Sequence, residues 1–537
     1  MLLIILVGIY FRAYHFSGWT RFSDDQGRDA GIIQDIVARG RSLPLLGPVA
    51  GTSNFFLGPV YYYFLFLAAK IFGGNPAVLG YPVLFLSILT IPLLYLFFKK
   101  YFDGYLSLAL TGLFAVSYFV ITFSRFSWNP NALPFFVLLF LYSLLELTRA
   151  RERREIFWSI LAGAGMGIGI QLHTIFLVVA PAVFIVFFIY GIRRKILTRR
   201  SAVIVLLVAL FFNIPQLISE TKTKGENTKE FIAGVLSPDS SITVKKTILT
   251  GLCHLQANSE ILTYYGYKQD CDYFKPPPAV YVHNTGKPEP ALTDRQKYYA
   301  GATLMFLFSI LGYLLILYNL RREKEKEKKY FLVLVTMFVI ASFITFIPVI
   351  KDTRARYFVY AEFMPFLLAG MLAKLILKRA NKYVAVVIIA AGVLAIGRMN
   401  LQLTLKSFQE FEGQGTYAEN NDQSTTLGEE EFLANFIIEN RGGSQVAYLD
   451  GDATGLGKVM KPVQYFFRNI PDLEVKSIEK AKENEQNVSY FKAYFIGRDN
   501  RERVVSRTSI KERKILKAGS FARYVIFKIE PPKEDSD

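Results

Sequence analysis

Hydrophobic residues in this chain come in blocks, at 1–16, 57–73, 78–98, 104–123, 132–147, 156–173, 174–191, 201–218, 299–320, 330–350, 357–377 and 383–399. Many reach the ~20 apolar residues that a helix needs to cross a bilayer. Basic residues fill alternate connectors: Lys99-Lys100, Arg149 to Arg154, Arg193 to Arg200, Arg321 to Lys329 and Lys378 to Lys382. Lysine and arginine collect on the cytoplasmic side of short membrane loops. These connectors therefore predict the inner face, and Ser124 to Asn131, the tight join at His173, loop 219–298 and 351–356 predict the outer one. The alternation holds from residue 78 onward and places everything after residue 400 outside.

Block 57–73 breaks the regularity. It opens Leu-Gly-Pro, carries Tyr61, Tyr62 and Tyr63 together, and has Lys70 near its end. That composition suits a helix lying at the interface. With this block left out, the pattern predicts about eleven spans, an inner N-terminus and an outer C-terminus. Block 1–16 lacks a basic leader and a small-residue cleavage site, and reads as a first span rather than a signal peptide. Arg12 lies near its outer end and is expected to snorkel to water.

The first outer loop, 17–77, then holds the most polar stretch near a membrane edge, Phe22-Ser-Asp-Asp-Gln-Gly-Arg-Asp-Ala30. Asp24 or Asp25 can cap a helix there, with Ala30, Ile33, Ile36 and Val37 on one face and Gly40 as its stop. The pattern predicts an amphipathic surface helix with an acidic start. Taken alone, the same acids could do no more than cap the helix and pair with Arg28 and Arg39. Loop 219–298, with its Pro276-Pro277-Pro278 run, reads as an irregular outer lid.

Past residue 400 the blocks stop. A linker, 401–428, leads to a helix pattern at 429–441 and short strand patterns at 445–449, 474–477, 490–496 and 522–529. The expected architecture is thus an all-α polytopic membrane domain, 1–400, followed by a small extracytoplasmic α/β domain, 429–537, in a cytoplasmic-membrane protein.

Composition narrows the function classes. At 52% hydrophobic and 15% aromatic over 537 residues, the chain is too apolar for an ordinary soluble protein. Its net charge of +18 sits largely in short loops, where it sets orientation, so nucleic acid is not an expected partner. Two cysteines, Cys253 and Cys271, are too few for a zinc cluster; a disulfide between them and two free thiols both stay open.

The polar groups that stand out all belong to the predicted outer face: Asp24, Asp25, Arg28 and Asp29; Arg125, Asn129 and Asn131; Gln171 and His173; and Lys351, Asp352, Arg354, Arg356 and Tyr357. A lipid-borne substrate presents its head group at such a boundary. For a sugar on a polyprenyl phosphate, arginines could hold the phosphate through forked hydrogen bonds. An aspartate could take the proton of an attacking hydroxyl. No cofactor and no metal ligand set is called for, because cations can stabilise the leaving phosphate. Singly, each arginine is as well explained as an interface anchor, His173 as a helix-end residue and Asn129 as a turn former.

In this setting the chain resembles the GT-C fold glycosyltransferases, and is most similar to bacterial relatives of the protein O-mannosyltransferases and of the lipid A aminoarabinose transferase. Their first outer loop opens a surface helix with an Asp-Glu pair. Spacing to Ala30 matches that pair to Asp25-Gln26, with glutamine in place of glutamate and Asp24 as an extra acid in front. Leu43 to Pro48 and Gly58 to Tyr63 resemble the second surface helix, without the lysine often found there. Ser124 to Asn131 resembles an external turn that often reads Arg with a later Asp, with Asn129 and Asn131 where an acid is expected, and Gly169 to His173 and Arg356-Tyr357 resemble the family as well. The resemblance spans about residues 1–400. It implies an inverting transfer from a polyprenyl-phosphate sugar, with Asp25 as base and Asp24, Arg28, Asp29, Arg125, Asn129, His173, Arg354, Arg356 and Tyr357 as substrate-binding residues. The sugar is unspecified, as is the acceptor, which could be protein, lipid or glycan. A transporter or flippase is the alternative, and a ligase or polymerase of lipid-linked glycans another. Transporters place ionisable groups near the bilayer midplane and often carry inverted repeats. Here the mid-span regions are almost free of charge and no repeat is evident.

Overall fold

The computed structural model describes residues 1–51, 54–150, 153–237, 241–263, 292–352, 355–413, 425–451, 456–468, 470, 472–477, 487–495 and 514–530. The chain opens with α1 (Leu2–Ala13), α2 (Phe16–Trp19), α3 (Asp24–Arg39) and α4 (Val60–Phe72). A bundle follows: α5 (Tyr81–Phe98), α6 (Gly104–Val116), α7 (Tyr118–Phe123), α8 (Leu133–Leu147), α9 (Arg153–Gly169), α10 (Thr174–Arg193) and α11 (Arg199–Phe212). Then come α12 (Ile214–Lys222), α13 (Glu226–Leu236), α14 (Val244–Thr263), α15 (Leu292–Arg322), α16 (Lys326–Phe346), α17 (Met364–Arg379) and α18 (Lys382–Phe411).

Among the described residues, six helices are long and apolar enough to cross a membrane, seven if α11 and α12, bent by 62° at their join, form one span. About eleven spans would require the shorter helices to cross as well. Short helices, such as α1 with 12 residues and α9 with 17, and helix breaks together explain the difference. Block 104–123 is interrupted at Ser117, which turns to ψ 123° and caps α7, accepting the Val120 amide at 3.5 Å while donating to the Ile261 carbonyl at 2.8 Å. Helix α4 has 13 residues, about 20 Å at 1.5 Å per residue, less than the ~30 Å hydrocarbon core. Its Tyr61 and Leu65 are fully buried. Helix α9 packs unusually close to α11. A Cβ added at Gly163 would come within 2.7 Å of the Val205 carbonyl oxygen, and one at Gly167 within 2.6 Å of the Ala209 Cα. Small residues are what permit backbones to approach like this in a membrane bundle.

Two expectations change. Arg12 does not snorkel. It is wholly buried, with Nε donating to Ser87 Oγ at 3.0 Å and Nη1 to the Gly8 and Ala115 carbonyls at 3.1 and 2.8 Å. Loop 219–298 is helical where described, and α14 is inserted into the bundle with Cys253, Gln256, Asn258 and Glu260 all buried. Cys271, the other cysteine of the considered disulfide, lies outside the described residues.

The C-terminal unit comprises α19 (Leu427–Asn440), β1 (Val446–Gly451), α20 (Leu456–Phe467), β2 (Glu474–Ser477), β3 (Val488–Phe495), β4 (Ile515–Phe521) and β5 (Tyr524–Ile529). Its sheet runs β2-β1-β3-β5-β4, with β1 parallel to β2 and β3 and the β3–β5 and β5–β4 pairs antiparallel. Leu433 and Ile437 of α19 pack on Leu449, Phe491 and Ile526 of the sheet. Helix α20 and strand β4 have no counterpart in the sequence pattern.

This unit is fastened to the first loop. The Phe22 amide donates to the Thr425 carbonyl (2.9 Å), the Leu427 amide to the Thr20 carbonyl (2.8 Å), and Thr425 Oγ to the Phe22 carbonyl (2.7 Å). Helix α20 lies on α3, with Tyr465 and Phe466 around the Phe22 ring at 5.6 and 5.9 Å. Within the unit, Glu429 accepts from Arg523 Nε and Nη2 at 2.7 and 2.6 Å, both side chains being buried, and Arg523 stacks on Phe411 at the end of α18. Removing one member of a buried pair strands the other charge and typically costs about 3–5 kcal/mol. Glu429→Gln should therefore lower the thermal unfolding midpoint of the detergent-solubilised protein and expose the C-terminal unit to limited proteolysis; an unchanged midpoint would show the pair contributes little.

Candidate active site

Helix α3 begins with a reciprocal cap. The Ser23 amide and hydroxyl donate to Gln26 Oε1 at 3.1 and 2.7 Å, and Gln26 Nε2 donates to the Ser127 carbonyl at 2.7 Å. Gln26 thus ties the helix start to the turn 124–132. Ala30, Ile33 and Ile36 are buried on the inner face, as the periodicity predicts, and Gly40 ends the helix at φ +66°. The side chain of Asp25 is 48% exposed and that of Asp29 only 1%. Arg28 lies between them, with Nη1 on Asp25 Oδ1 at 2.9 Å and Nε on Asp29 Oδ1 at 2.9 Å. Tyr62 of α4 donates its hydroxyl to the same Asp29 oxygen at 3.2 Å. Burial pushes the Asp29 carboxyl up to about 7, against the opposing pull of Arg28. Asp24 is half-buried and faces Glu430 of α19, a buried carboxyl whose pKa burial, Glu429 and Asp24 together raise.

The turn 124–132 carries the next group. Arg125 is not directed at a ligand: Nη1 donates to the Phe11 and Arg12 carbonyls (2.9 Å each) and Nη2 to the Tyr14 carbonyl (2.7 Å). It caps the end of α1 and stacks on Phe408. Ser127 is the junction, because its carbonyl accepts from Gln26 and its hydroxyl lies 2.5 Å from the Tyr61 hydroxyl. Asn129 Nδ2 donates to the Leu172 carbonyl at 2.7 Å, and Asn131 Nδ2 to the Phe126 carbonyl at 3.3 Å.

His173 caps α10, Nδ1 accepting the Ile175 amide at 3.1 Å. That bond places the ring proton on Nε2, which leaves a donor on the far side. Burial lowers its pKa to about 4, so the ring is neutral near pH 7. Its ring meets Tyr357 at 6.0 Å, and Arg356 stacks between Trp128 (5.6 Å) and Tyr357 (5.5 Å). Gln171 Oε1 accepts the Val60 amide at 3.2 Å, which fixes the start of α4 to the same layer. Arg354 lies outside the described residues.

The predicted residues therefore fall into two groups, Asp25, Arg28 and Asp29 on α3 and Asn129, His173, Arg356 and Tyr357 around Trp128, with Ser127 bonded to Gln26 and Tyr61 between them. Arg125 falls outside both. Tyr62, Trp128 and Glu430 were not singled out as chemistry; the cap of α3 is Ser23, and Asp24 and Asp25, expected to cap it, lie in its first turn instead. Among the described residues, no cluster of histidine, cysteine and carboxylate side chains could hold a metal ion.

Residues 57–218 match the family model of dolichyl-phosphate-mannose-protein mannosyltransferases. The structure is similar to ArnT from Cupriavidus metallidurans bound to undecaprenyl phosphate, with a TM-score of 0.52 and 12% identity over 98% of this chain and 97% of that one. The apo form of that protein gives 0.50 at 12% identity, with the same coverage of both chains. The Archaeoglobus fulgidus oligosaccharyltransferase in complex with zinc and sulfate also gives 0.50, at 13% identity over 92% of this chain and 67% of that one. No curated protein matches the chain by sequence. The chain thus has the GT-C fold of these proteins, and its segment 57–218 is similar to the protein mannosyltransferases.

Proposed function

We propose that the protein is an inverting membrane glycosyltransferase that moves a sugar from a polyprenyl-phosphate donor to an acceptor hydroxyl at the outer face of the cytoplasmic membrane. The observation that carries this is the half-exposed carboxylate of Asp25 at the head of α3, whose start is tied by Gln26 to Ser127, the residue before Trp128 of the Trp128–Arg356–Tyr357 stack. The ArnT structure bound to undecaprenyl phosphate supports the donor class, since the whole chain shares its fold.

The steps follow from the residue chemistry. Asp25 accepts the proton of the acceptor hydroxyl as that oxygen forms a bond to the anomeric carbon. The bond from that carbon to the phosphate oxygen breaks, its electron pair leaves with the phosphate, and displacement from the opposite side inverts the centre. Arg356 and the Nε2–H of His173 supply donors for the phosphate charge, with Arg354 a further cation near in sequence. Trp128 and Tyr357 offer apolar ring faces to the sugar. Asp25 is preferred to Asp24 as base because Asp24 faces the buried Glu430.

Asp25→Asn should reduce transfer from a polyprenyl-phosphate sugar by about 10²–10⁴-fold, the range a general base contributes, while Asp24→Asn keeps most activity. Wild-type turnover of purified Asp25→Asn, with membrane insertion intact, would remove the assigned base. Sidedness has its own check. Ala38 is exposed on α3, and Ala38→Cys should react with a membrane-impermeant maleimide on intact cells; labelling only after lysis would put the loop in the cytoplasm.

A further inference from the structure

Arg28 was expected to bind substrate, yet three of its donor atoms, Nε, Nη1 and Nη2, are spent on two aspartates of its own helix. Nε and Nη2 both lie 2.9 Å from Asp29 Oδ1, and Nη1 lies 2.9 Å from Asp25 Oδ1. Asp29 is buried, with Tyr62 donating from the neighbouring helix and its other oxygen, Oδ2, without a hydrogen-bond partner. A buried carboxylate held by two donors is a fixed point, whereas a half-exposed one can swing among rotamers. The guanidinium is planar and rigid, so anchoring its inner edge fixes where its outer edge points. Arg28 then engages one oxygen of Asp25, and the exposed remainder of that carboxylate is open to an acceptor.

We propose that Asp29 and Tyr62 are positioning residues: the Tyr62 hydroxyl and the buried Asp29 carboxylate clamp Arg28, and Arg28 aims Asp25 at the acceptor. This rests on Asp25 being the base. Neither Asp29 nor Tyr62 touches substrate, and the spacing of Asp25, Arg28 and Asp29 by three and one residues puts all three on the first two turns of α3.

The clamp needs Asp29 charged. The titratable groups facing it are Arg28 and Asp25 on α3 and Tyr61 and Tyr62 on α4. Burial and the adjacent Asp29 raise the Tyr62 phenol, so it remains the donor. With the carboxyl raised to about 7, ionisation on going up through that pH tightens the hold on Arg28. Turnover should therefore rise with pH through about 7. The Tyr62 hydrogen bond pulls the Asp29 value down, so its loss moves this limb to higher pH. Stability has the opposite slope. An unfolded aspartate titrates near ~3.9, so between about 4 and 7 the native state keeps a proton that the unfolded chain has released, and stability falls as pH rises across that window.

The experiment compares Tyr62→Phe, Asp29→Asn, their double variant and Asp25→Asn as purified full-length proteins, with kcat, donor KM and the pH profile for each. Tyr62→Phe should lower kcat about tenfold at pH 7 with donor KM unchanged, and shift the pH limb upward. Asp29→Asn should flatten the limb at low activity and remove the stability slope, and the double variant should be no worse than Asp29→Asn alone. Inactive Asp25→Asn beside Tyr62→Phe and Asp29→Asn of unchanged kcat and pH profile would overturn the clamp while leaving the base in place. A raised donor KM with unchanged kcat would overturn it too, by making these residues substrate ligands. Active Asp25→Asn would instead refute the base assignment on which the clamp depends. Tyr62→Phe removes one oxygen, so it decides the question even if Asp29→Asn fails to fold.

Discussion

A charge taken out of water and left alone costs several kcal/mol, and the polar architecture of this bundle follows from that constraint. Four of the buried charged groups described above are answered at short range. Arg12 is answered by Ser87 and two carbonyls, Arg125 by the carbonyls that end α1, Asp29 by Arg28 and Tyr62, and Glu429 by Arg523. These groups divide into two kinds. Arg12, Arg125 and Glu429 have their bonding directed at the fold itself. The Asp25 carboxylate, by contrast, is 48% exposed, and Arg356 lies against the rings of Trp128 and Tyr357.

That division was only partly visible in the sequence. The amphipathic helix at 24–39, its glycine stop and the existence of a short helix at 60–72 could be read from local periodicity, because those signals lie within a few residues of what they specify, whereas the burial of the second helix, read as interfacial, could not. The helix and most strands of the C-terminal unit were readable for the same reason. Strand β4 was missed, since its apolar residues do not alternate cleanly, and α20 was missed because a glycine and a proline obscure its period. The membrane boundaries fared worse. A hydropathy block cannot show that Ser117 turns the chain aside, and Ile261, to which it bonds, is 144 residues away.

The site divides along the same line. Asp25, Arg28 and Asp29 are neighbours on one helix, so their proximity followed from number alone. Arg125 looked like a phosphate ligand because an arginine in an outer turn is free by default. Only the fold brings the carbonyls of Phe11, Arg12 and Tyr14 to it, across more than a hundred residues. Tyr62 reads as an ordinary residue of an interfacial helix until α4 is placed beside α3, where its hydroxyl meets Asp29. Cations were easier to mistake than acids, because an arginine reaches far and its partners are usually backbone atoms that sequence does not advertise.

The pairing of 20–22 with 425–427 has a mechanical consequence. Phe22 is held by two hydrogen bonds to Thr425 and by the rings of Tyr465 and Phe466, and Ser23, the cap of α3, is the next residue. The C-terminal unit is held in turn by the Glu429–Arg523 pair, which leans on Phe411 at the end of the last membrane helix. A displacement of that unit cannot leave the start of α3 where it is, and Asp25 lies two residues beyond the cap. Catalytic geometry is sensitive at the level of an ångström. The C-terminal unit is thereby coupled through backbone pairing to the start of α3.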